Sequence, residues 1–241
     1  MIIKILLEIG FSNTLLRTNL VRFSYAMSLG ADCEVSTRLK QFNLWKLRSL
    51  FDDIGMPLPD IIDLIDNKLM DFARLENLEV KKDLFELVIH RKHKELRVVD
   101  KKYNAELWHY FSYGLPIEEQ YEKASLRIKV LTERFLKEIQ TPEPVLFIRK
   151  QSMLESLFLP EDVKNQYRKL YQCLKTVRLD KPFKVLALGK QDVFSQQWGI
   201  EGIESRQLIY RGINPFIWEK EAFIDPVWYE LVEIVNSYKI L

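Results

Sequence analysis

RFSYAMSLGADCEVSTRL, residues 22–39, is the stretch whose reading decides the fold. Residues 23–29 are an apolar run of strand length, Gly30 supplies a permissive turn, and Val35 and Leu39 recur at helical spacing. The stretch therefore reads as a buried strand, a short turn and the first turns of a helix. Asp32 is placed to cap that helix, which puts Cys33 at the first helical position. A thiol there faces unpaired backbone N–H groups and the positive end of the helix dipole, a setting that favours thiolate, while the Asp32 carboxylate opposes it. The competing reading is an inert core cysteine, since free cysteine is among the most buried residue types.

Outward from this unit, the bulk numbers limit the classes. The chain has 241 residues, of which 47% are hydrophobic and 29% charged, enough for one large core or two small ones. Lys and Arg number 36 against 34 Asp and Glu, and a formal charge of +2 gives no field that singles out nucleic acid. Two cysteines, Cys33 and Cys173, do not make a disulfide framework, and the three histidines have no zinc-type spacing with them. A reducing, cytoplasmic setting is expected, with no metal, no cofactor and a small-molecule or peptide substrate as partner. No apolar run reaches the length of a membrane span, and residues 1–21 lack the apolar core and small-residue cleavage site of a signal peptide. Those residues read as a helix, a strand or an extension peripheral to one domain covering 1–241.

Further along, residues 41–61 lead through Trp45, Leu47, Leu50 and Phe51 into the pair Asp52-Asp53 and a proline-punctuated loop. Read as the end of a short extended segment, the pair would lie where ligands bind in an open α/β sheet, while Asp before Gly and Pro is commonly a turn cap. Ile61, Leu64, Ile65, Leu69 and Phe72 mark one face of a helix opened by Pro59-Asp60. Residues 83–100 read as strand, basic turn (RKHK) and strand. In AELWHYFSYG, His109 is enclosed by Leu107, Trp108, Tyr110 and Phe111. Burial without a charged partner lowers a histidine's pKa and keeps it neutral, the form of a general base, although such histidines are also ordinary core residues. Residues 118–139 are an amphipathic helix whose Arg127 and Arg134 read as a solvated face. A strand over 145–148 ends beside Arg149, a bidentate donor for a carboxylate or phosphate or half of a structural ion pair. A helix opened by Pro160 with Cys173 in its interior, a strand over 183–188, a loop over 191–200 with Trp198 and Gly199 at a pocket rim, a strand over 206–213 and a closing helix after Asp225-Pro226 complete the pattern. Alternating strands and helices predict an α/β fold with a mostly parallel, Rossmann-like three-layer sheet and helices on both faces.

The motifs add a resemblance. SLGADC resembles the opening motif of a bacterial and viral family of putative papain-like cysteine peptidases, otherwise a domain of unknown function. The family's Pro-Phe-Asp-Trp motif corresponds to Leu50, Phe51, Asp52 and Asp53, its His-Asp-Phe motif to His109, Tyr110 and Phe111, and its Phe-Ile-Arg strand to Phe147, Ile148 and Arg149. The resemblance implies a cysteine hydrolase in which Cys33 attacks a carbonyl and His109 takes and returns the proton. Asp52 would orient the histidine, and Gly30, Asp32 and Arg149 would contact substrate. It also implies a cysteine-bearing helix against an antiparallel sheet, and the fold expectation above follows the strand–helix alternation instead. Two alternatives stand beside the hydrolase. One is a Rossmann-like transferase or nucleotide-sugar-binding protein whose Gly30 turn cradles a phosphate, with Arg149 neutralising charge and Asp52 binding hydroxyls. The other is an inactive relative, suggested by Asp53 and Tyr110 where the motifs differ.

Overall fold

The computed structural model describes residues 23–31, 33–41, 43–82, 95–152 and 155–208. The expected strands and a first helix appear at once: β1 (Tyr25–Ser28) runs into a turn and α1 (Glu34–Gln41). β1 lies at the edge of a parallel sheet with β6 (Val145–Lys150), β7 (Phe183–Gly189) and β8 (Ile203–Gln207), in the order β1-β6-β7-β8. These strands carry near-continuous apolar runs because both faces are covered. The two-residue alternation of a strand divides them cleanly. Tyr25, Met27, Val145, Phe147, Val185 and Ala187 enter the larger core. Ala26, Leu146, Ile148, Leu186 and Leu188 pack instead with Val35 and Leu39 of α1.

The larger core also takes the inward faces of α2 (Leu58–Asp66), α3 (Ile117–Ile139) and α4 (Pro160–Arg178), through Ile61, Leu64, Ile128, Leu131, Phe135, Val163, Tyr167 and Leu170. Between β1 and β6 the chain builds a second sheet. β2 (Ile54–Gly55), β3 (Leu78–Val80), β4 (Val98–Asp100) and β5 (Ala105–Leu107) pair antiparallel in the order β2-β5-β4-β3. The fold is therefore mixed α/β with one parallel and one antiparallel sheet, which corrects the expectation of a single mostly parallel Rossmann-like sheet. The reason is physical: strands of two or three residues are too short for a period of two to register in sequence.

Other corrections are local. The extended segment expected to end at Asp52-Asp53 is a 3₁₀ turn, Leu50–Asp53, closed by a capping box in which Ser49 and Asp52 exchange side-chain and backbone hydrogen bonds. Trp198 does not rim a pocket; it packs 5.2 Å from the ring centres of Tyr167 and Phe194 and donates its indole N–H to the Val193 carbonyl at 2.6 Å. The strand expected over 206–213 begins earlier, at Ile203. The basic turn of 83–94, the N-terminal 1–21 and the closing helix after Asp225 lie outside the described residues. Among the described residues no helix is long and apolar enough to cross a membrane.

One buried cation ties the two sheets together. Arg149, at 0% exposure, donates to the Leu29 carbonyl at the end of β1 (3.1 Å) and to the Met56 carbonyl beyond β2 (2.8 Å), and is ion-paired with Glu155. Glu155 in turn accepts the backbone N–H groups of Leu58, at the start of α2, and of Ser152.

Candidate functional site

The turn before α1 is tight. Gly30 and Ala31 both adopt left-handed backbone, φ +78° and +85°, and a Cβ on Gly30 would sit 3.0 Å from the Ile54 carbonyl oxygen. Glycine at 30 is thus demanded by both conformation and space. Ala31, which has a Cβ, holds a sparsely populated conformation one turn from the cysteine. The Cys33 carbonyl accepts the Thr37 N–H at 3.0 Å, the first helical bond of α1. Cys33 therefore occupies the cap position, one residue earlier than expected, and Asp32 lies outside the described residues. The Ser36 hydroxyl is lodged between the Cys33 carbonyl (3.0 Å) and the Asp52 carbonyl (3.2 Å), fixing the helix start against the 3₁₀ turn. Cys33 is half-buried and free.

His109 comes to it from the antiparallel sheet by a change of register. Val99 of β4 faces Glu106 of β5, and the next contact outward is an isolated bridge between Glu95 and Ser112. One strand takes four steps, 99 to 95, while the other takes six, 106 to 112, so two extra residues bulge from the second. Bulges of this kind re-aim a side chain next to an active site. His109 sits in the bulge with φ +65°, a left-handed conformation uncommon for a residue with a Cβ.

So placed, the His109 ring comes within reach of the Cys33 thiol, which acts on its ionisation, and donates from Nδ1 to Glu95 Oε1 at 2.5 Å. With Nδ1 committed to Glu95, Nε2 is the nitrogen left to serve the thiol. The imidazole is 46% exposed, so the pair is open to solvent. Its pKa is held up at about 10, first by the hydrogen bond to Cys33, then by Glu95, with partial burial opposing both. The expectation of a neutral histidine is corrected: burial without a charged partner was the premise, and Glu95 is a charged partner.

The bulge is braced from α3. Arg127 Nη1 donates to the His109 carbonyl at 2.7 Å and Nη2 to Asp53 Oδ2 at 2.9 Å, while its guanidinium lies 4.2 Å from the centre of the Tyr110 ring. Asp53 also accepts Arg48 Nε at 3.0 Å, and its carbonyl takes the Trp108 N–H at 2.9 Å. Asp53 and Tyr110, the two residues that depart from the resembled motifs beside Asp52 and His109, thus meet on one arginine.

The remaining expected site residues stand elsewhere. Asp52 is buried, and its Oδ2 is taken by Trp45 Nε1 (2.8 Å) and the Ser49 N–H (3.2 Å), so the carboxylate on His109 is Glu95 and not Asp52. Gly30 is buried with its N–H given to Ser28 Oγ at 3.2 Å, and Arg149 is enclosed with Glu155; neither the phosphate cradle nor the substrate contact assigned to them is open. Cys173 is buried in α4, and burial pushes its thiol up to about 12. Among the described residues no cluster of three or more His, Cys, Asp or Glu is placed to hold a metal ion.

Glu95 and Asp53 were missed as site residues. Glu95 adjoins the basic RKHK run and looks like part of a solvated turn, and only the register shift makes it a neighbour of His109. Asp53 was visible as half of an acidic pair, of which the motif favoured the other member.

Asp52 itself yields an expectation. Burial pushes its carboxyl up to about 6 against the hydrogen bonds that lower it, and Oδ1 has no partner. An acid whose pKa is raised on folding costs stability above that pKa and costs nothing below its ordinary value of 3.8. Asp52→Asn keeps an acceptor for Trp45 and Ser49 and removes the charge. It should raise the unfolding free energy at pH 7.5 by up to about 3 kcal/mol. The gain should fade between pH 6 and 4. Urea unfolding across that range checks it, and a gain independent of pH would show that the charge is not the cause.

The family described as Putative papain-like cysteine peptidase (DUF1796) matches residues 24–178, more than half of the chain. No curated protein and no solved structure matches it.

Proposed function

The chain belongs to the family of putative papain-like cysteine peptidases, and from that premise we propose that it is a cysteine-dependent hydrolase acting on a peptide or related acyl bond. Cys33 is the nucleophile, His109 the proton carrier and Glu95 the group that orients and charges the imidazole. What supports this reading is the His109 ring held by Glu95 at 2.5 Å and within reach of the Cys33 thiol that acts on its ionisation. With the pair's proton carried by His109, the Cys33 sulfur attacks the substrate carbonyl carbon, and the carbonyl π electrons move to oxygen. Backbone N–H groups at the start of α1 are the donors nearest that oxyanion. Collapse expels the amine, which takes the proton from His109. The neutral imidazole then draws a proton from water, whose oxygen attacks the thioester and releases the Cys33 thiolate.

Iodoacetamide tests the reading before any substrate is known. Cys33 should be carbamidomethylated at pH 6 at least tenfold faster than a small-molecule thiol, Cys173 should stay unlabelled in the folded protein, and Cys33→Ala should abolish the modification. Labelling of Cys33 no faster than the small thiol would leave an inactive member of the family.

A further inference from the structure

We infer that Arg127 is the positioning residue of this site, holding the His109 bulge in its left-handed conformation from below. The inference rests on the reading of Cys33 and His109 as nucleophile and proton carrier. A non-glycine residue at φ +65° is strained and persists only where its surroundings over-determine it. At His109 the neighbours that do so are visible. The carbonyl of the strained residue is held by Arg127 Nη1 at 2.7 Å, and the N–H of the preceding residue, Trp108, is held by the Asp53 carbonyl at 2.9 Å. Arg127 and Asp53 are themselves joined at 2.9 Å, and the Asp53 side chain is only 7% exposed. The backbone on both sides of the 108–109 link is therefore gripped by one ion pair, half from α3 and half from the 3₁₀ turn. A planar guanidinium serves both acceptors at once; an ammonium at the end of a lysine does not.

The sign of one measurement separates this role from a plain electrostatic one. Arg127 is a cation near His109, so removing its charge alone would make the imidazolium easier to form and raise the His109 pKa. Loss of positioning does the reverse, because the ring leaves Cys33 and Glu95, the two groups that hold its pKa up. In Arg127→Gln, the His109 titration followed by NMR of the labelled imidazole should move down from about 10 by one unit or more. Cys33 alkylation at pH 6 should slow about tenfold. Arg127→Lys should fail to rescue either, and Lys129→Gln, which removes a cation from an exposed position of α3, should leave both unchanged. Arg127→Lys keeps the charge and loses the fork, so a fall of the His109 midpoint in that variant reports positioning alone, and it is read in place of Arg127→Gln if the latter does not fold. A His109 midpoint that stays put or rises in folded Arg127→Gln or Arg127→Lys overturns the inference. Failure of the hydrolase reading is distinct from this: wild-type Cys33 would then be no more reactive than a small thiol, whatever the variants do.

Discussion

Replacing His109 by alanine should slow alkylation of Cys33 at pH 6 by about two orders of magnitude. The thiolate is the reacting species, and an ordinary free cysteine is well under a hundredth ionised at that pH. In the folded protein the proton has an acceptor in His109, whose pKa stands at about 10 because Cys33 and Glu95 both favour the charged ring. Without the imidazole that acceptor is gone. The sign across pH follows from the same shift. A histidine raised from 6.5 to about 10 by folding contributes its stabilisation fully below pH 6.5 and loses it as pH rises toward 10. The wild-type advantage in labelling should therefore be widest in mildly acid solution and vanish by pH 10, where any exposed thiol is ionised. Equal rates for wild type and His109→Ala at pH 6 would remove the histidine from the chemistry.

The second large effect concerns stability. Arg149→Met should cost about 3–5 kcal/mol, because it strands the carboxylate of Glu155, 4% exposed, without its cation. It also removes the donors held by the Leu29 and Met56 carbonyls. The Glu155 carboxylate still receives the Leu58 and Ser152 N–H groups, which keeps the loss from being larger. Pairing Arg149→Met with Glu155→Gln, which discharges the orphan, should recover about half of the loss. Urea unfolding of the two variants measures both. A loss below about 1 kcal/mol for Arg149→Met would mean that the interior at this point is wet enough to screen a lone carboxylate.

The parallel half of the fold could be read from sequence because its strands are long and apolar and its helices periodic. β1, β6, β7, α3 and α4 all lie within a few residues of where spacing put them. Of the antiparallel half only VVD fell inside an expected strand, the second one of residues 83–100, since AEL, LEV and IG carry too few residues for a pattern. That half carries His109 and Glu95. The site divides along the same line: Cys33 announced itself through a strand–turn–helix unit, whereas Glu95 became a site residue only through a two-residue slip in pairing, which leaves no local mark. Arg149 shows the converse failure. Its place at a strand end was legible, but whether a strand-end arginine faces a crevice or an interior depends on what the second sheet covers. The resemblance to papain-like enzymes implied a helix-borne cysteine facing an antiparallel sheet, and the strand–helix alternation argued against it. Both are present in this chain, which is why neither alone described it.

The register Tyr25↔Val145 has a consequence for how the protein is made. Among the described residues β6 is the strand that pairs with β1, and it lies more than a hundred residues downstream. A nascent chain that has already released both Cys33 and His109 from the ribosome still lacks the strand against which β1, the strand leading to Cys33, must zip. Such distant pairings close late in folding. Assembly of the sheet that carries Cys33 is thereby timed to the emergence of residues 145–150, and a shorter fragment contains both Cys33 and His109 without that sheet.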